Sequence, residues 1–261
     1  MTATRRPAIR PMVRTMDGHA RLFCFPYAGG GVSVFHPWSA RLAQVGISVL
    51  GVQPAGREDR LLEPAFTDMA ELTAPLVVEL VPYLDRPYAF FGHSMGALIA
   101  WEVTHALRDK GMRLPEHVFL SARHGPQRRA RADGFTGLER VTDAELTDHL
   151  RQLNQTPEEI LSNAQFMRYI LPTVRADFTL VNQYVYQHDE PLDCATTVFG
   201  GVDDPYVPAE QLHDWAEFTR GPFSVQMFPG GHFFLTEQMD ALLDSIVARF
   251  APARPEVARD G

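Results

Sequence analysis

Residues 87–103 decide the fold, and their sequence is PYAFFGHSMGALIAWEV. The apolar aromatic run at 87–91 predicts a buried strand, and the run at 97–103 predicts a helix. Between them, Gly92-His93-Ser94-Met95-Gly96 has the Gly-x-Ser-x-Gly form of a nucleophile elbow. Such an elbow exposes a serine hydroxyl at the N-terminus of a helix, where the helix dipole favours the negative charge of an acyl-transfer transition state. The motif makes Ser94 the candidate nucleophile.

Short apolar runs alternate with helical patterns on either side of this stretch. Strands are predicted at residues 21–25, 47–52, 117–121, 196–199 and 224–228, and helices at 37–45, 68–84, 97–110 and 239–250. This alternation predicts the α/β class, with a mostly parallel central sheet flanked by helices on both faces. In such a sheet the catalytic groups gather beyond the carboxyl ends of the strands. We expect a single domain over residues 1–261.

The stretch 125–191 breaks this alternation, because it holds helical signals without a convincing strand. Thr142 and Glu145 have the spacing of a capping box, which predicts the start of a helix. A longer helical pattern at 165–187 is expected to bend or break near Pro172, since proline lacks a backbone donor. We interpret 125–191 as a helical lid inserted over the end of the sheet.

The composition limits the classes of partner and compartment. The formal net charge of -8 argues against nucleic acid as a partner. No apolar run approaches the roughly 18–20 residues of a membrane span, and the Arg- and Pro-rich N-terminus does not resemble a secretory signal. Cys24 and Cys194 form no C-x-x-C motif and are expected to be buried, reduced thiols of a cytoplasmic protein. Residues 1–18 and 251–261 are predicted to be flexible tails, and a monomer is expected.

Two further side chains are needed to make Ser94 reactive. A serine hydroxyl is a weak nucleophile, so it requires a histidine base and a carboxylate that orients the histidine. In this fold class the three follow the chain order Ser, acid, His. His232 lies in a Gly-Gly-His segment after the last predicted strand, and Asp203 and Asp204 follow the strand before it. Asp204 fits the Asp-Pro-x-Val form of such a loop better than Asp203, which remains the alternative.

Two backbone N–H groups are needed to stabilise the oxyanion of the transition state. Met95 follows the nucleophile and supplies one of them. The glycine-rich loop at 26–31 supplies the other, from Ala28 or, as the alternative, from Tyr27. This loop lacks the G-x-x-x-x-G-K-[ST] and G-x-G-x-x-G patterns of phosphate-binding loops, and no cofactor or metal is expected.

Six segments spread over most of the chain resemble the type II thioesterases, the discrete editing thioesterases of polyketide and non-ribosomal peptide assembly lines. They are residues 25–30 (FPYAGG), 53–60 (QPAGREDR), 91–97 (FGHSMGA), 171–178 (LPTVRADF), 201–205 (GVDDP) and 228–234 (FPGGHFF). The resemblance implies an α/β-hydrolase fold with a helical lid, the triad Ser94, Asp204 and His232, and the oxyanion donors Ala28 and Met95. It also implies hydrolysis of acyl groups from the phosphopantetheine arm of acyl or peptidyl carrier proteins, which removes stalled or aberrant units.

Two groups of arginines are candidates for contact with the carrier protein or its phosphopantetheine. Arg57 and Arg60 either contact the phosphate or form local ion pairs that shape their loop. The second group, which forms either a solvated basic loop or a docking patch for an acidic carrier protein, comprises Arg123, Arg128, Arg129 and Arg131.

Other functions would use the same residues. A medium-chain fatty acyl thioesterase, which the family also resembles, would need the same triad. A carboxylesterase acting on small free esters would need it too. A non-catalytic binding protein of the same fold is disfavoured, because the Ser, Asp and His are all present.

Overall fold

The computed structural model describes residues 6–12, 17–128, 141–153 and 155–250. The strands are β1 (Ile9–Pro11), β2 (Ala20–Phe25), β3 (Ile47–Val52), β4 (Tyr88–His93), β5 (His117–Ser121), β6 (Ala195–Gly201) and β7 (Phe223–Phe228). The α-helices in these ranges are α1 (His36–Ala43), α2 (Met69–Leu80), α3 (Met95–Asp109), α4 (Asp143–Leu153), α5 (Glu158–Leu161), α6 (Ala164–Gln183), α7 (Ala209–Leu212), α8 (Phe234–Glu237) and α9 (Met239–Phe250).

The seven strands form one sheet in the order β1-β3-β2-β4-β5-β6-β7. Neighbouring strands from β3 to β7 pair in parallel, whereas β1 pairs antiparallel with β3 at the edge. This mostly parallel sheet confirms the predicted fold class. The chain moves outward from β2 to β3 and then returns to β4 on the other side of β2, so the strand order reverses between β2 and β4. The crevice at the carboxyl ends of these two strands is where ligands bind in such sheets.

Helices cover both faces of the sheet, and every residue of β2, β3, β4 and β5 is therefore buried. On one face, α2 and α3 contribute Leu76, Leu98 and Trp101 to the core. On the other face, α1 and α9 contribute Trp38 and Ile246. The mostly apolar runs of the sequence, which lack polar alternation, match this arrangement, because a parallel strand between two helical layers has no solvent-facing side.

The helices α4, α5 and α6 lie between β5 and β6 and have an apolar cluster of their own. Its buried members are Leu146, Leu150, Leu161, Met167, Leu171, Val174 and Phe178. The predicted capping box at the start of α4 is confirmed. The Glu145 N–H donates to Thr142 Oγ1 at 3.2 Å, and the Thr142 N–H donates to Glu145 Oε2 at 2.8 Å.

Pro172 does not break the helix that contains it, so of the predicted bend or break, the break is excluded. The helix α6 runs through Pro172 without interruption and ends at Gln183, before the predicted end at residue 187. Pro172 is exposed, so the backbone carbonyl that loses its helical donor there is on the side where water can replace it.

The N-terminal tail predicted over residues 1–18 is also wrong in part. Ile9–Pro11 forms β1, and Ile9 pairs with Val52 and is buried in the core. The tail predicted at 251–261 lies outside the described residues. Cys24 and Cys194 are free and buried, as expected. No helix in the described ranges combines the length and the apolar character that crossing a membrane requires.

Candidate active site

Ser94 lies on the sharp turn that joins β4 to α3. Its backbone has φ 55° and ψ -112°, a conformation that costs energy for a residue with a side chain. The turn is held because the Ser94 N–H donates to the Ser121 carbonyl on the next strand at 2.8 Å. A Cβ atom at Gly92 would overlap the Gly96 carbonyl, and one at Gly96 would overlap the Phe25 carbonyl. Only glycine fits at these two positions, which explains the Gly-x-Ser-x-Gly pattern.

The loops after β6 and β7 bring Asp204 and His232 to Ser94. His232 Nε2 lies 3.1 Å from Ser94 Oγ, and His232 Nδ1 lies 2.8 Å from Asp204 Oδ2. The Asp204 side chain is fully buried, and the His232 side chain is 11% exposed. The three side chains therefore form one hydrogen-bonded chain from a buried carboxylate to a hydroxyl at the surface of a cavity.

The structure brings Asp204, and not Asp203, to His232. The other oxygen of Asp204, Oδ1, accepts the backbone N–H groups of Tyr206 at 2.8 Å and Val207 at 3.2 Å, which fixes the carboxylate. Asp203 is exposed, and its backbone N–H donates to the Gly230 carbonyl at 2.9 Å. The Asp-Pro-x-Val form of the loop thus corresponds to the turn that Asp204 caps.

His93, the other histidine of the elbow, is packed beneath the triad. It is fully buried, and its Nδ1 lies 2.9 Å from Ser121 Oγ. Burial, together with the nearby His232, lowers the pKa of His93 well below its usual value. The ring is therefore neutral at neutral pH, and it adds no positive charge next to His232 when His232 takes up a proton.

The residues predicted for the oxyanion hole line the same small cavity as Ser94 and His232. Ala28, Met95, Ser94 and His232 all contribute to its wall. Met95 is the first residue of α3, where an N–H has no acceptor within the helix. Within the described residues, the Ala28 and Met95 N–H groups donate to no acceptor. Tyr27, the alternative donor, also lines this cavity and packs its ring against His93 and Phe233, so the choice between the two stays a prediction.

A second cavity, of about 660 Å³, adjoins the catalytic one. The two share Tyr27 and Ala28 from the loop after β2, Leu153 from the insertion and Phe233 from the loop after β7. The second cavity extends under α4 and α6 and is lined mainly by apolar side chains, which include Leu150, Phe166, Ile170 and Val174. Apolar space beside a candidate nucleophile suits an acyl chain. No group of three metal-ligating side chains occurs in the part of the chain that the structure describes.

A model of the thioesterase domain family matches residues 20–250. The chain belongs to this thioesterase family. Among its relatives, the gramicidin S biosynthesis protein GrsT of Aneurinibacillus migulanus is 41% identical over 224 residues, which cover 86% of each protein. The medium-chain S-acyl fatty acid synthase thioesterase of Rattus norvegicus is 32% identical over 224 residues, which cover 84% of this chain and 82% of that protein.

The same family appears among solved structures. The type II thioesterase BorB from the borrelidin biosynthetic cluster matches with a TM-score of 0.84 and 34% identity, over 95% of this chain and 100% of that one. The resemblance to type II thioesterases and the α/β-hydrolase fold are thereby confirmed. Family membership makes this chain a thioesterase, and its hydrogen-bonded chain ends at Ser94 in the wall of the smaller cavity.

Arg57 and Arg60 already have carboxylate partners in the structure, and their contact with phosphopantetheine stays a prediction. Arg57 is buried, and its Nη2 and Nη1 donate to the two oxygens of Asp177 at 2.6 Å and 2.9 Å. Arg60 is buried too, and it donates to Glu63 at 2.6 Å and 3.0 Å. Both arginines form ion pairs that shape their loop, as the alternative interpretation held, but with partners outside the 57–60 segment.

Asp177 is the site residue that sequence reasoning missed. It lies on α6 between Val174 and Phe178, on the side of the helix that packs inward. A carboxylate on an apolar helical stripe indicates a buried acid with a dedicated partner, because an unpaired buried charge is costly. The stripe was visible in the sequence, but the partner was not.

The second group of arginines is only partly described. Arg128 is exposed and pairs with Asp214, with Nη2 3.3 Å from Oδ1 and a closer contact from Nε. Arg123 is buried and lines the catalytic cavity. Arg129 and Arg131 lie outside the described residues, so the docking patch stays a prediction.

Proposed function

We propose that this thioesterase is a discrete type II enzyme that hydrolyses acyl groups from the phosphopantetheine arm of acyl or peptidyl carrier proteins. Its task would be to remove stalled or aberrant units during polyketide or non-ribosomal peptide biosynthesis. The observation that carries the proposal is the hydrogen-bonded chain Asp204–His232–Ser94, with spacings of 2.8 Å and 3.1 Å, in a thioesterase-family chain. Relatives named for gramicidin S and borrelidin biosynthesis support the pathway class.

In the first half of the proposed reaction, Ser94 acts as the nucleophile. His232 Nε2 takes the proton from Ser94 Oγ, which attacks the thioester carbonyl carbon. The Ala28 and Met95 N–H groups stabilise the oxyanion that forms, and Asp204 holds His232 with Nε2 towards Ser94. The C–S bond then breaks, His232 gives its proton to the leaving sulfur, and the acyl group remains on Ser94 as an ester.

In the second half, water replaces the pantetheine thiol. His232 takes a proton from the water as its oxygen attacks the ester carbonyl, and the same two N–H groups stabilise the second oxyanion. Ser94 Oγ leaves and regains its proton from His232. The sum of the two halves is one thioester and one water converted into one carboxylic acid and one thiol.

The space for the acyl chain would be the apolar cavity beside Ser94. Its volume of about 660 Å³ and its wall of leucine, isoleucine, valine and phenylalanine side chains from α4 and α6 support this assignment. We propose that the helical insertion at 125–191 acts as the lid over this space, which excludes bulk water from the reacting groups. A carrier protein would then deliver its arm past the lid, and Arg128 and Arg129 are the candidate residues for contact with it.

Mass spectrometry of a carrier protein loaded with one acyl group tests the proposal. The enzyme should remove the acyl group with higher kcat/KM than it shows for the same group on coenzyme A or as a free ester. Charge reversal of Arg128 and Arg129 should raise KM for the carrier substrate alone. Equal efficiency on the ester would instead indicate a carboxylesterase, and a preference for medium-chain acyl-coenzyme A would indicate a fatty acyl thioesterase.

A further inference from the structure

One carboxylate of the insertion reaches into the loop that carries the proposed oxyanion donor. Asp177 Oδ2 accepts the backbone N–H of Gly29 at 2.7 Å, and both Asp177 oxygens accept from Arg57. Asp177 is 2% exposed and Arg57 is 5% exposed, so these bonds are shielded from water. Three segments that are far apart in the sequence therefore meet at one buried ion pair.

The ion pair holds the loop after β2 from two sides. Asp177 binds the N–H of Gly29, while Arg57 Nη1 donates to the Gly30 carbonyl at 3.1 Å. Gly29 has φ 76°, a left-handed conformation that suits glycine, and the Gly30 N–H closes the turn onto the Tyr27 carbonyl at 2.9 Å. Ala28 lies inside this turn. Its N–H direction is thus set by a turn whose far side is fixed by Asp177 and Arg57.

We infer that Asp177, through Arg57 and Gly29, is a positioning residue for the Ala28 N–H of the oxyanion hole. The inference rests on the proposed function, because it uses Ala28 as an oxyanion donor. Stability alone is a poor explanation for such a pair, since apolar side chains of similar volume often replace buried ion pairs at no cost. Orientation is a better one, because a donor displaced by about 1 Å can cost on the order of 100-fold in rate.

A second ion pair, in the loop after β3 that also carries Arg57, provides a matched control. Arg60 is as buried as Arg57 and is likewise held by a carboxylate, that of Glu63. Its other described bond goes to the Gln53 carbonyl at 2.6 Å, and not to the loop after β2. Substitution of Glu63 therefore disturbs an arginine–carboxylate pair in this part of the fold without touching Gly29 or Gly30.

The test compares three variants with the wild-type enzyme. Asp177→Asn leaves Arg57 without its charged partner and is expected to lose stability as well as activity. The double variant Asp177→Leu/Arg57→Met removes both charges and keeps apolar volume, so it should fold, but it leaves the Gly29 N–H without its acceptor. Glu63→Gln is the control. Each is measured for thermal stability, for kcat and KM on an acyl thioester, and for affinity to an alkyl boronic acid, whose tetrahedral adduct with Ser94 places an oxygen in the oxyanion hole.

The double variant should lose about 10- to 100-fold in kcat with little change in KM, and its affinity for the boronic acid should fall by a similar factor. Glu63→Gln should keep both near wild type. A folded double variant with wild-type kcat and boronic acid affinity would overturn the inference, and so would an equal loss in Glu63→Gln. Ser94→Ala in the same assay separates the two proposals. If it is inactive while the double variant is fully active, only the positioning role fails, and if it stays active, the proposed function fails.

Discussion

The carboxyl-terminal edge of the sheet, where the loops after β4, β6 and β7 meet, and the helical insertion are stabilised in different ways. This edge is called the sheet edge below. At the sheet edge, backbone bonds such as Ser94 N–H to Ser121 O and a fully buried Asp204 hold the three strand-end loops in one arrangement. The insertion instead packs its helices around an apolar cluster of its own that includes Leu146 and Leu171. In the proposed mechanism the sheet positions the reacting groups and the helices provide the space for the acyl chain. Substitutions in the two regions should therefore have different kinetic and thermodynamic signatures.

Ser94→Ala should remove turnover and leave both regions folded. The hydroxyl is the proposed nucleophile, and loss of such a group costs on the order of 10⁴- to 10⁶-fold in kcat. The substitution also removes no buried contact on which the sheet depends. Steady-state kinetics on an acyl-loaded carrier, with thermal unfolding as the control for folding, measures both effects. Hydrolysis close to wild type by the folded variant would exclude the mechanism.

Asp204→Asn should have the next greatest effect, and Asp203→Asn serves as its matched control. An amide at residue 204 would favour the wrong tautomer of His232, and the typical loss is about 10⁴-fold in kcat. Asp203 is exposed, and the carboxylate bonded to His232 is that of Asp204, so the Asp203 variant should keep nearly full activity. The kcat values of the two variants decide which aspartate orients His232. If Asp203→Asn were the inactive variant, the assignment of the acid would be off by one residue.

A pair of leucine truncations separates the stability of the two regions. Leu98 and Leu146 are both fully buried, the first in the sheet core and the second in the insertion. Leu98→Ala should lower the free energy of global unfolding by about 2–5 kcal/mol. Leu146→Ala should instead raise amide hydrogen exchange in α4, α5 and α6 while global unfolding changes little. Equal losses of global stability in both variants would show that the insertion and the sheet unfold as one unit.

Acid should weaken the sheet region through its buried histidines. Burial lowers the pKa of His117 on β5, and also that of His124, to about 4. In the unfolded chain these rings titrate near 6.5, so between about pH 4 and 6.5 the unfolded state binds protons that the folded state does not. Stability is therefore complete above this window and is lost as the pH falls through it, by about 1.4 kcal/mol per pH unit for each histidine.

Urea unfolding as a function of pH measures this loss. His117→Gln should unfold with a shallower pH dependence than wild type, because one of the titrating groups is gone. The slope, and not the stability at one pH, is the relevant quantity, since the substitution also alters the contact of His117 with Thr197. An unchanged slope of unfolding free energy against pH would contradict the claim that His117 takes up a proton only on unfolding.

The sequence predicted the sheet edge well because its signals are local. The elbow motif, the loop with Asp204 and the Gly-Gly-His segment each follow a recognisable strand, and parallel topology then brings strand ends together. The contact of Asp177 with Arg57 has no such signal, since its partners are 120 residues apart. The burial of Ile9 against β3 and the continuity of α6 through Pro172 were missed for the same kind of reason. Both features depend on which residues the rest of the fold buries and which it leaves exposed, and a local sequence pattern does not contain that information.

Covalent labelling is the most direct test of the claim that Ser94 carries the acyl group. The enzyme is treated with a fluorophosphonate, with and without acyl-loaded carrier protein, and the modified peptide is identified by mass spectrometry. We expect one label, on Ser94, with activity lost in proportion to labelling and with slower labelling in the presence of the loaded carrier. The Asp204→Asn variant should label far more slowly. A label on another residue, or full hydrolysis by enzyme labelled at Ser94, would contradict the mechanism.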